Sequence, residues 1–239
     1  MIVRGWDRPR VHAVCLTASP KVEVDCDQMP DSGEVEKLHF VTHLLDPQAA
    51  PDEKTASYEL DIPVGATLDV NNPQGSVTIE RFSGDAWIVS VVGKISVMDA
   101  AGHVSARTLN GDIELVRPSG HIEATSVMGN LRFIGSTSAM VRAQSTGSGN
   151  IIFDGEFVPG GDYLLASYQG DIDITCPPSD SFELRARTVR GKVDNQVRLN
   201  RRGHSPFSAG ESLIGIHNQG DATVEIKSYS GTIHVRPRS

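Results

Sequence analysis

Glycine recurs every nine residues in the central part of this sequence. Between residues 75 and 133 it occupies Gly75, Gly84, Gly93, Gly102, Gly111, Gly120 and Gly129. The residues two and four places after each glycine are apolar, and the residue between them is mostly polar. This alternation is typical of a β-strand with one buried face. The fourteen apolar positions are Val77, Ile79, Ala86, Ile88, Ile95, Val97, Val104, Ala106, Ile113, Leu115, Ile122, Ala124, Leu131 and Phe133.

A short strand with one apolar face cannot bury that face alone, whereas a stack of identical strands buries it continuously. The simplest geometry has two nine-residue arms per coil, so that residues 18 apart stack about 4.8 Å from one another. The sequence therefore predicts an all-β fold, a single-stranded β-solenoid (β-helix) of short stacked strands with glycine corners. An antiparallel β-sandwich with regular hairpins is the alternative.

The seventh residue after each glycine is also mostly apolar, which predicts a further inward contact near the next corner. These residues are Phe82, Val91, Ala100, Leu109 and Val127.

The repeat divides the chain into two parts. Residues 1–57 are predicted to form strands that pack on or cap the solenoid, and residues 58–239 to form its repeats as one continuous domain. Beyond residue 133 the glycines Gly149, Gly170 and Gly191 are spaced by 21, which predicts longer coils. No helix is expected, and residues 195–210 are predicted to form an exposed basic loop.

Composition limits the possible functions. A net charge of −8 argues against nucleic-acid binding, which needs a basic surface. No run of apolar residues is long enough for a membrane helix, and the first residues do not resemble a signal peptide. We therefore expect either a cytoplasmic protein or a chain that lacks its export segment. Cys15 and Cys26 could pair, but isolated buried thiols, Cys176 included, are the favoured interpretation.

Two segments resemble a known bacterial family. Residues 2–7 (IVRGWD) and 58–66 (YELDIPVGA) look like the entry segments of the "putative adhesin" domain of unknown function. The repeated Gly-Asp-Ile strands at residues 111–113 and 170–172 are similar to its repeats. The resemblance covers nearly the whole chain. It implies a β-solenoid in an exported or envelope-associated protein, and it supplies no active-site residues.

Possible metal and anion sites each have a structural alternative. His103 and His121 would stack one coil apart with Asp85 in the same outward column, where a metal could bind. Ordinary surface polar residues are the favoured interpretation of this column. Residues 146–150 (TGSGN) resemble a phosphate-binding loop but precede no helix, so we interpret them as a corner. The calcium-binding glycine nonapeptide is excluded because its paired glycines and regular inward Asp residues are missing.

Other exposed groups favour contact rather than catalysis. Arg198, Arg201 and Arg202 could meet an anionic polymer, although a solvated loop is favoured. Trp87 is predicted to point outward, either toward a partner or beneath the N-terminal strands. No nucleophile elbow is present. The sequence thus assigns no catalytic, cofactor or metal residues.

The sequence predicts a non-enzymatic, adhesin-like interaction or scaffold module of the bacterial cell envelope, with a protein or glycan partner. The alternative is a polysaccharide-acting β-helix enzyme, a lyase or hydrolase, which needs clustered carboxylates. Its candidates are the pairs Asp171 with Asp173 and Glu114 with Glu123. Self-association through the solenoid ends is a third hypothesis.

Overall fold

The computed structural model describes residues 1–29, 36–203 and 210–238, and within them the protein is all-β. One short 3₁₀ turn, Pro51–Lys54, is the helical element in these ranges. In the first half the strands are β1 (Ile2–Trp6), β2 (His12–Thr17), β3 (Val22–Met29), β4 (Lys37–Leu44), β5 (Ala56–Pro63), β6 (Leu68–Gln74), β7 (Val77–Phe82), β8 (Ala86–Val92), β9 (Ile95–Ala100), β10 (His103–Asn110), β11 (Ile113–Val116) and β12 (His121–Met128).

The second half contains eleven more strands. They are β13 (Leu131–Ser136), β14 (Met140–Ser148), β15 (Ile151–Gly155), β16 (Asp162–Ser167), β17 (Ile172–Cys176), β18 (Phe182–Thr188), β19 (Val193–Asn195), β20 (Asn200–Gly203), β21 (Glu211–His217), β22 (Ala222–Ser228) and β23 (Ile233–Pro237). No helix in the described ranges has the length and apolar character needed to span a bilayer.

Successive strands of the central repeat alternate between two mainly parallel sheets. The eleven-stranded sheet has the order β19-β23-β17-β15-β13-β11-β9-β7-β1-β5-β2, and the ten-stranded sheet the order β20-β21-β18-β22-β16-β14-β12-β10-β8-β6. Val77 pairs with Ile95, and Ile95 with Ile113, so residues 18 apart lie side by side as predicted. In the other sheet Ala86 and Val104 have the same offset.

The core lies between the two sheets. All fourteen alternating apolar residues of the repeat are exposed by 1% or less of their surface, so the predicted inward face is confirmed. Burial of this face supplies the main stabilisation, because each aliphatic side chain of this size contributes about 1.5–3 kcal/mol when it leaves water.

Stacked glycines form the corners between the sheets. A Cβ atom placed on Gly111 would lie 2.1 Å from the carbonyl oxygen of Gly93, and one on Gly93 would lie 2.1 Å from that of Gly75. At the other corner, a Cβ atom placed on Gly102 would lie 2.0 Å from the carbonyl oxygen of Gly84. No L side chain tolerates such a contact, so the nine-residue glycine spacing follows from backbone packing.

The N-terminal strand lies inside the eleven-stranded sheet. β1 pairs in parallel with both β5 and β7, and the amino group of Met1 donates a hydrogen bond to the carbonyl oxygen of Ser76 at 2.8 Å. β2 follows as an antiparallel edge strand on β5. β3 and β4 form a separate two-stranded sheet. This sheet contacts the body through Phe40 and Thr42, both of which reach Tyr58.

The C-terminal strands do not follow the sequence order. β22 lies between β16 and β18, and β23 lies between β17 and β19. The longer coil predicted from the spacing of 21 is present between Gly149 and Gly170, but the next glycine in the stack is Gly231, which lies between Gly170 and Gly191. The predicted loop at residues 195–210 is also wrong in part: Asn200–Gly203 forms strand β20, which pairs with β21. Residues 30–35 and 204–209 lie outside the described ranges.

We expect Gly111→Ala to lower the free energy of unfolding by about 3 kcal/mol, since the methyl group forces neighbouring strands apart. Gly65→Ala is the matched control because nothing lies within 4 Å of its added Cβ. That change should alter stability by about 1 kcal/mol or less. Urea denaturation of both variants measures the difference, and equal midpoints would contradict the role given to the glycine columns.

Candidate functional site

A mostly apolar column of exposed and half-buried side chains runs along one corner of the ten-stranded sheet. Seven strands that are neighbours in the sheet each contribute one residue, at or just after the strand end. We call this column the corner ridge; its residues are Val91, Leu109, Val127, Thr146, Tyr168, Tyr229 and Val189. Leu109 and Tyr168 each leave 48% of their surface exposed, and Val91 leaves 43%. At about 4.8 Å per strand, the ridge is about 29 Å long.

The ridge is where one prediction fails. The seventh residue after each glycine was expected to point inward, and in the eleven-stranded sheet Phe82 and Ala100 do so, each with 1% exposure. In the ten-stranded sheet the equivalent Val91 and Leu109 are exposed, and Val127 is half-buried. The two arms of the repeat are therefore not equivalent.

A difference in backbone conformation explains the two arms. In the eleven-stranded sheet the residue before the inward position is left-handed, with φ of 54° at Arg81, 55° at Asp99 and 51° at Arg117. This turn reverses the alternation and points the next side chain into the core. The Arg117 guanidinium donates two hydrogen bonds to Asp99, at 2.7 and 2.8 Å, and holds the pKa of that carboxyl below its usual value.

In the ten-stranded sheet, buried hydroxyl residues take the place of the left-handed turn. They are Ser90, Thr108, Ser126, Ser145, Ser167, Ser228 and Thr188, stacked in register. Ser126 donates to the carbonyl oxygen of Gly111 at 3.2 Å and Thr188 to that of Gly231 at 3.0 Å. The hydroxyls of Ser90, Thr108 and Ser145 have no hydrogen-bond partner. Because the chain stays extended here, the next residue points outward into the corner ridge.

The ridge contains an aromatic group near one end. The rings of Tyr168 and Tyr229 stack with centroids 4.9 Å apart and an angle of 8° between their planes. The guanidinium carbon of Arg190 lies 5.2 Å from the Tyr229 ring centre, a distance typical of a cation–π contact. This part of the ridge, next to Val189, is therefore a stacked aromatic pair with one positive charge beside it.

A second cluster lies on the outward face of the same sheet. His103 and His121 are direct neighbours on β10 and β12, with ring centroids 4.7 Å apart. The rings of Trp87 and His103 are nearly perpendicular, with centroids 5.9 Å apart. Trp87 is 40% exposed, so the N-terminal strands do not cover it. The three residues with ligand atoms close together are His103, His121 and Glu123, not Asp85 as expected from the column.

Asp171 has a structural role in a ladder of Asp and Asn side chains at the glycine corner. The main-chain N–H of Asn130 donates to Asp112 at 2.7 Å, and that of Asn150 donates to Asn130 at 3.0 Å. The N–H of Asp171 in turn donates to Asn150 at 3.0 Å, and Asp171 accepts from the N–H of Thr232 at 2.7 Å. Sequence reasoning missed this ladder, although an Asp or Asn directly follows the glycines at 111, 129, 149 and 170.

The other carboxylates proposed for an enzyme also have partners. Asp173 lies 3.8 Å from the Arg236 guanidinium, and Glu114 forms an ion pair with Lys94. Glu123 lies on the opposite sheet from Glu114, 3.8 Å from His121. The structure thus does not bring Glu114 and Glu123 together.

The remaining candidates have simple positions. Residues 146–150 end β14 and continue into the corner before β15, as predicted. Arg198 is exposed, whereas the side chains of Arg201 and Arg202 lie outside what the structure describes.

The three thiols are free, and only Cys176 is buried, which raises its pKa to about 12. The pKa of Cys15 is also raised, by burial and by the Cys26 thiol near it.

Comparison with known proteins gives little support for any function. No family model matches the chain, and no curated protein matches it. A solved structure described as "a putative cell adhesion protein from Clostridium sporogenes ATCC 15579" is similar at 10% identity over 99% of this chain and 87% of that chain, with a TM-score of 0.29. A TM-score this low does not establish a common fold, so the family resemblance stays a prediction.

The structural role of Asp171 predicts which substitutions the chain tolerates. Asp171→Ala removes the acceptor for the Thr232 N–H and should lower the free energy of unfolding by about 1 kcal/mol. Asp171→Asn keeps an acceptor oxygen and should be close to the unsubstituted protein. Asp173→Ala is the control, since an exposed ion pair contributes little. If denaturation curves give Asp171→Asn the same loss of unfolding free energy as Asp171→Ala, this assignment is wrong.

Proposed function

We propose that the chain is a β-solenoid that serves as a non-enzymatic, adhesin-like interaction module. The solenoid is supported by the alternation of successive strands between two parallel sheets, the offset of 18 residues and the stacked glycine corners. Such stacks present side chains at fixed spacing along their flanks, which suits them to extended contacts.

The corner ridge is the observation that carries the interaction role. Apolar side chains account for six of its seven residues, and Lys and Glu are absent from it. Val89, Val92 and Met128 extend the apolar surface on neighbouring positions, each with 45–47% exposure. Interface cores in proteins have this composition, enriched in aromatic and Met side chains and depleted of Lys and Glu. Exposed apolar surface that is continuous over several strands marks an interaction site.

The chemistry of the ridge favours a protein partner over a glycan. A glycan needs flat aromatic rings surrounded by hydrogen-bonding groups, but aliphatic residues occupy most of the ridge. A protein segment with apolar side chains along one side matches it instead. The charged flank of the eleven-stranded sheet differs, because its ion pairs include Glu114 with Lys94 and Asp173 with Arg236. We place the partner on the ridge and not on that flank.

The proposal also covers catalysis and location. The absence of catalysis is proposed because each candidate carboxylate already has a basic, histidine or main-chain neighbour within the structure. Location at the cell envelope, or outside the cell, is proposed from the family resemblance of the entry segments. The acidic net charge of −8 supports the view that nucleic acid is not the partner.

The ridge is tested by charge substitution at its centre. The purified chain is used to isolate a partner from the envelope fraction of the source cells, and binding is then measured with that partner purified. Leu109→Glu should weaken binding by about tenfold or more, because a carboxylate would be desolvated in the interface. Gln196→Glu adds the same charge at an exposed position just after β19 of the eleven-stranded sheet, away from the ridge, and should leave the affinity unchanged.

Three outcomes would overturn the proposal. Equal binding by the Leu109→Glu and Gln196→Glu variants would show that the partner binds elsewhere. Release of sugar products from a polysaccharide panel would instead favour the enzyme hypothesis, and specific retention on a glycan array would favour a carbohydrate partner.

A further inference from the structure

The two histidines of the outward cluster have unpaired ring nitrogens. His103 and His121 occupy directly paired positions on parallel strands, which brings their rings to a centroid distance of 4.7 Å with a tilt of 37°. The Nε2 atom of each ring is shielded from solvent and has no hydrogen-bond partner. A polar nitrogen removed from water without a partner is energetically costly, so two at one point indicate a ligand.

Glu123 supplies an oxygen to the same point. It lies two residues after His121 on β12 and therefore on the same face of the strand, with Oε1 3.8 Å from the His121 Nε2. Its neighbour across the ladder is Arg142, but that guanidinium bonds to Asp162 at 3.2 Å. The Glu123 carboxylate therefore remains directed at the imidazoles.

We propose that His103, His121 and Glu123 bind a divalent late transition-metal ion such as Zn²⁺ or Cu²⁺. Their three ligand atoms lie within 4.8 Å of one another, and among the described residues this is the group of three that meets that condition. Two imidazole nitrogens and one carboxylate oxygen form a common three-residue set for these ions. Mg²⁺ and Ca²⁺ prefer oxygen ligands and do not fit the set.

The strand geometry makes the site reachable by small side-chain movements. Metal bonds of about 2.1 Å place neighbouring ligand atoms about 3.4 Å apart, so the side chains must move together by about 1 Å. The parallel ladder already sets the separation of the two imidazoles, and rotation about the Cα–Cβ and Cβ–Cγ bonds suffices. Trp87 lies beside His103 and reports on the site, since bound Cu²⁺ quenches the fluorescence of a nearby indole.

The test is a titration of the full-length chain with Zn²⁺ alone, followed by calorimetry and thermal unfolding. It is done in a Cys15→Ser/Cys26→Ser background, because those thiols are the competing ligands for zinc. One equivalent should bind and raise the unfolding temperature, as any ligand of the folded state does. His103→Gln and His121→Gln should each weaken binding by about tenfold or more. His12→Gln and His43→Gln, whose rings neighbour Asp61 and Asp25, are matched controls and should bind normally.

A second readout covers the case in which a site variant is poorly folded. In a Trp6→Phe variant, Trp87 is the remaining tryptophan, and Cu²⁺ should quench it at one equivalent. Adding His121→Gln to that variant should abolish quenching while circular dichroism shows an intact sheet. Zinc binding that survives replacement of both histidines, or no binding by the folded unsubstituted chain at about millimolar Zn²⁺, would overturn the proposal. The metal site is independent of the corner ridge, so either can fail alone.

Discussion

The close approach of one glycine to the carbonyl oxygen of the glycine beneath it determines the rest of this structure. With Gly93 placed so that an added Cβ would come within 2.1 Å of the Gly75 carbonyl oxygen, neighbouring corners stack directly. The flanking strands are then in register, and the apolar residues two and four places later fall in vertical ladders. The core of the repeat is a consequence of the corner, since short strands that slipped by one residue would expose their apolar faces.

The two corners of the repeat differ in how the chain leaves each strand, and this difference creates the exposed surface. On the eleven-stranded side, left-handed residues such as Arg81 and Asp99 turn the following side chain into the core. On the ten-stranded side the chain stays extended after buried hydroxyl residues such as Ser90 and Thr108, and the following side chain faces water. Apolar residues at the same place in the repeat thus stabilise the core on one side and form the corner ridge on the other.

The sequence predicts well those features that depend on neighbours at a fixed spacing. The inward positions, the glycine corners and the offset of 18 residues all follow from the period and the alternation. The exposure of Val91 and Leu109 does not, because it depends on whether the preceding residue adopts a positive φ, and arginine or aspartate in that conformation leaves no clear sequence signal. Asp85 was expected near the two histidines instead of Glu123. The repeat predicts which residues align on neighbouring strands, but it does not predict the direction in which each side chain points.

The placement of β22 and β23 inside the stack has a consequence for how the protein is made. Residues 182–195 emerge from the ribosome before the segment that must lie between them and the earlier strands. β18 can pair with β21 as soon as that strand is made, but neither β18 nor β19 can join the earlier strands until residues 222–237 have been synthesised. Until then the open edges of β16 and β17 can pair with other nascent chains. A chaperone that covers these edges during translation would protect the protein from misassembly.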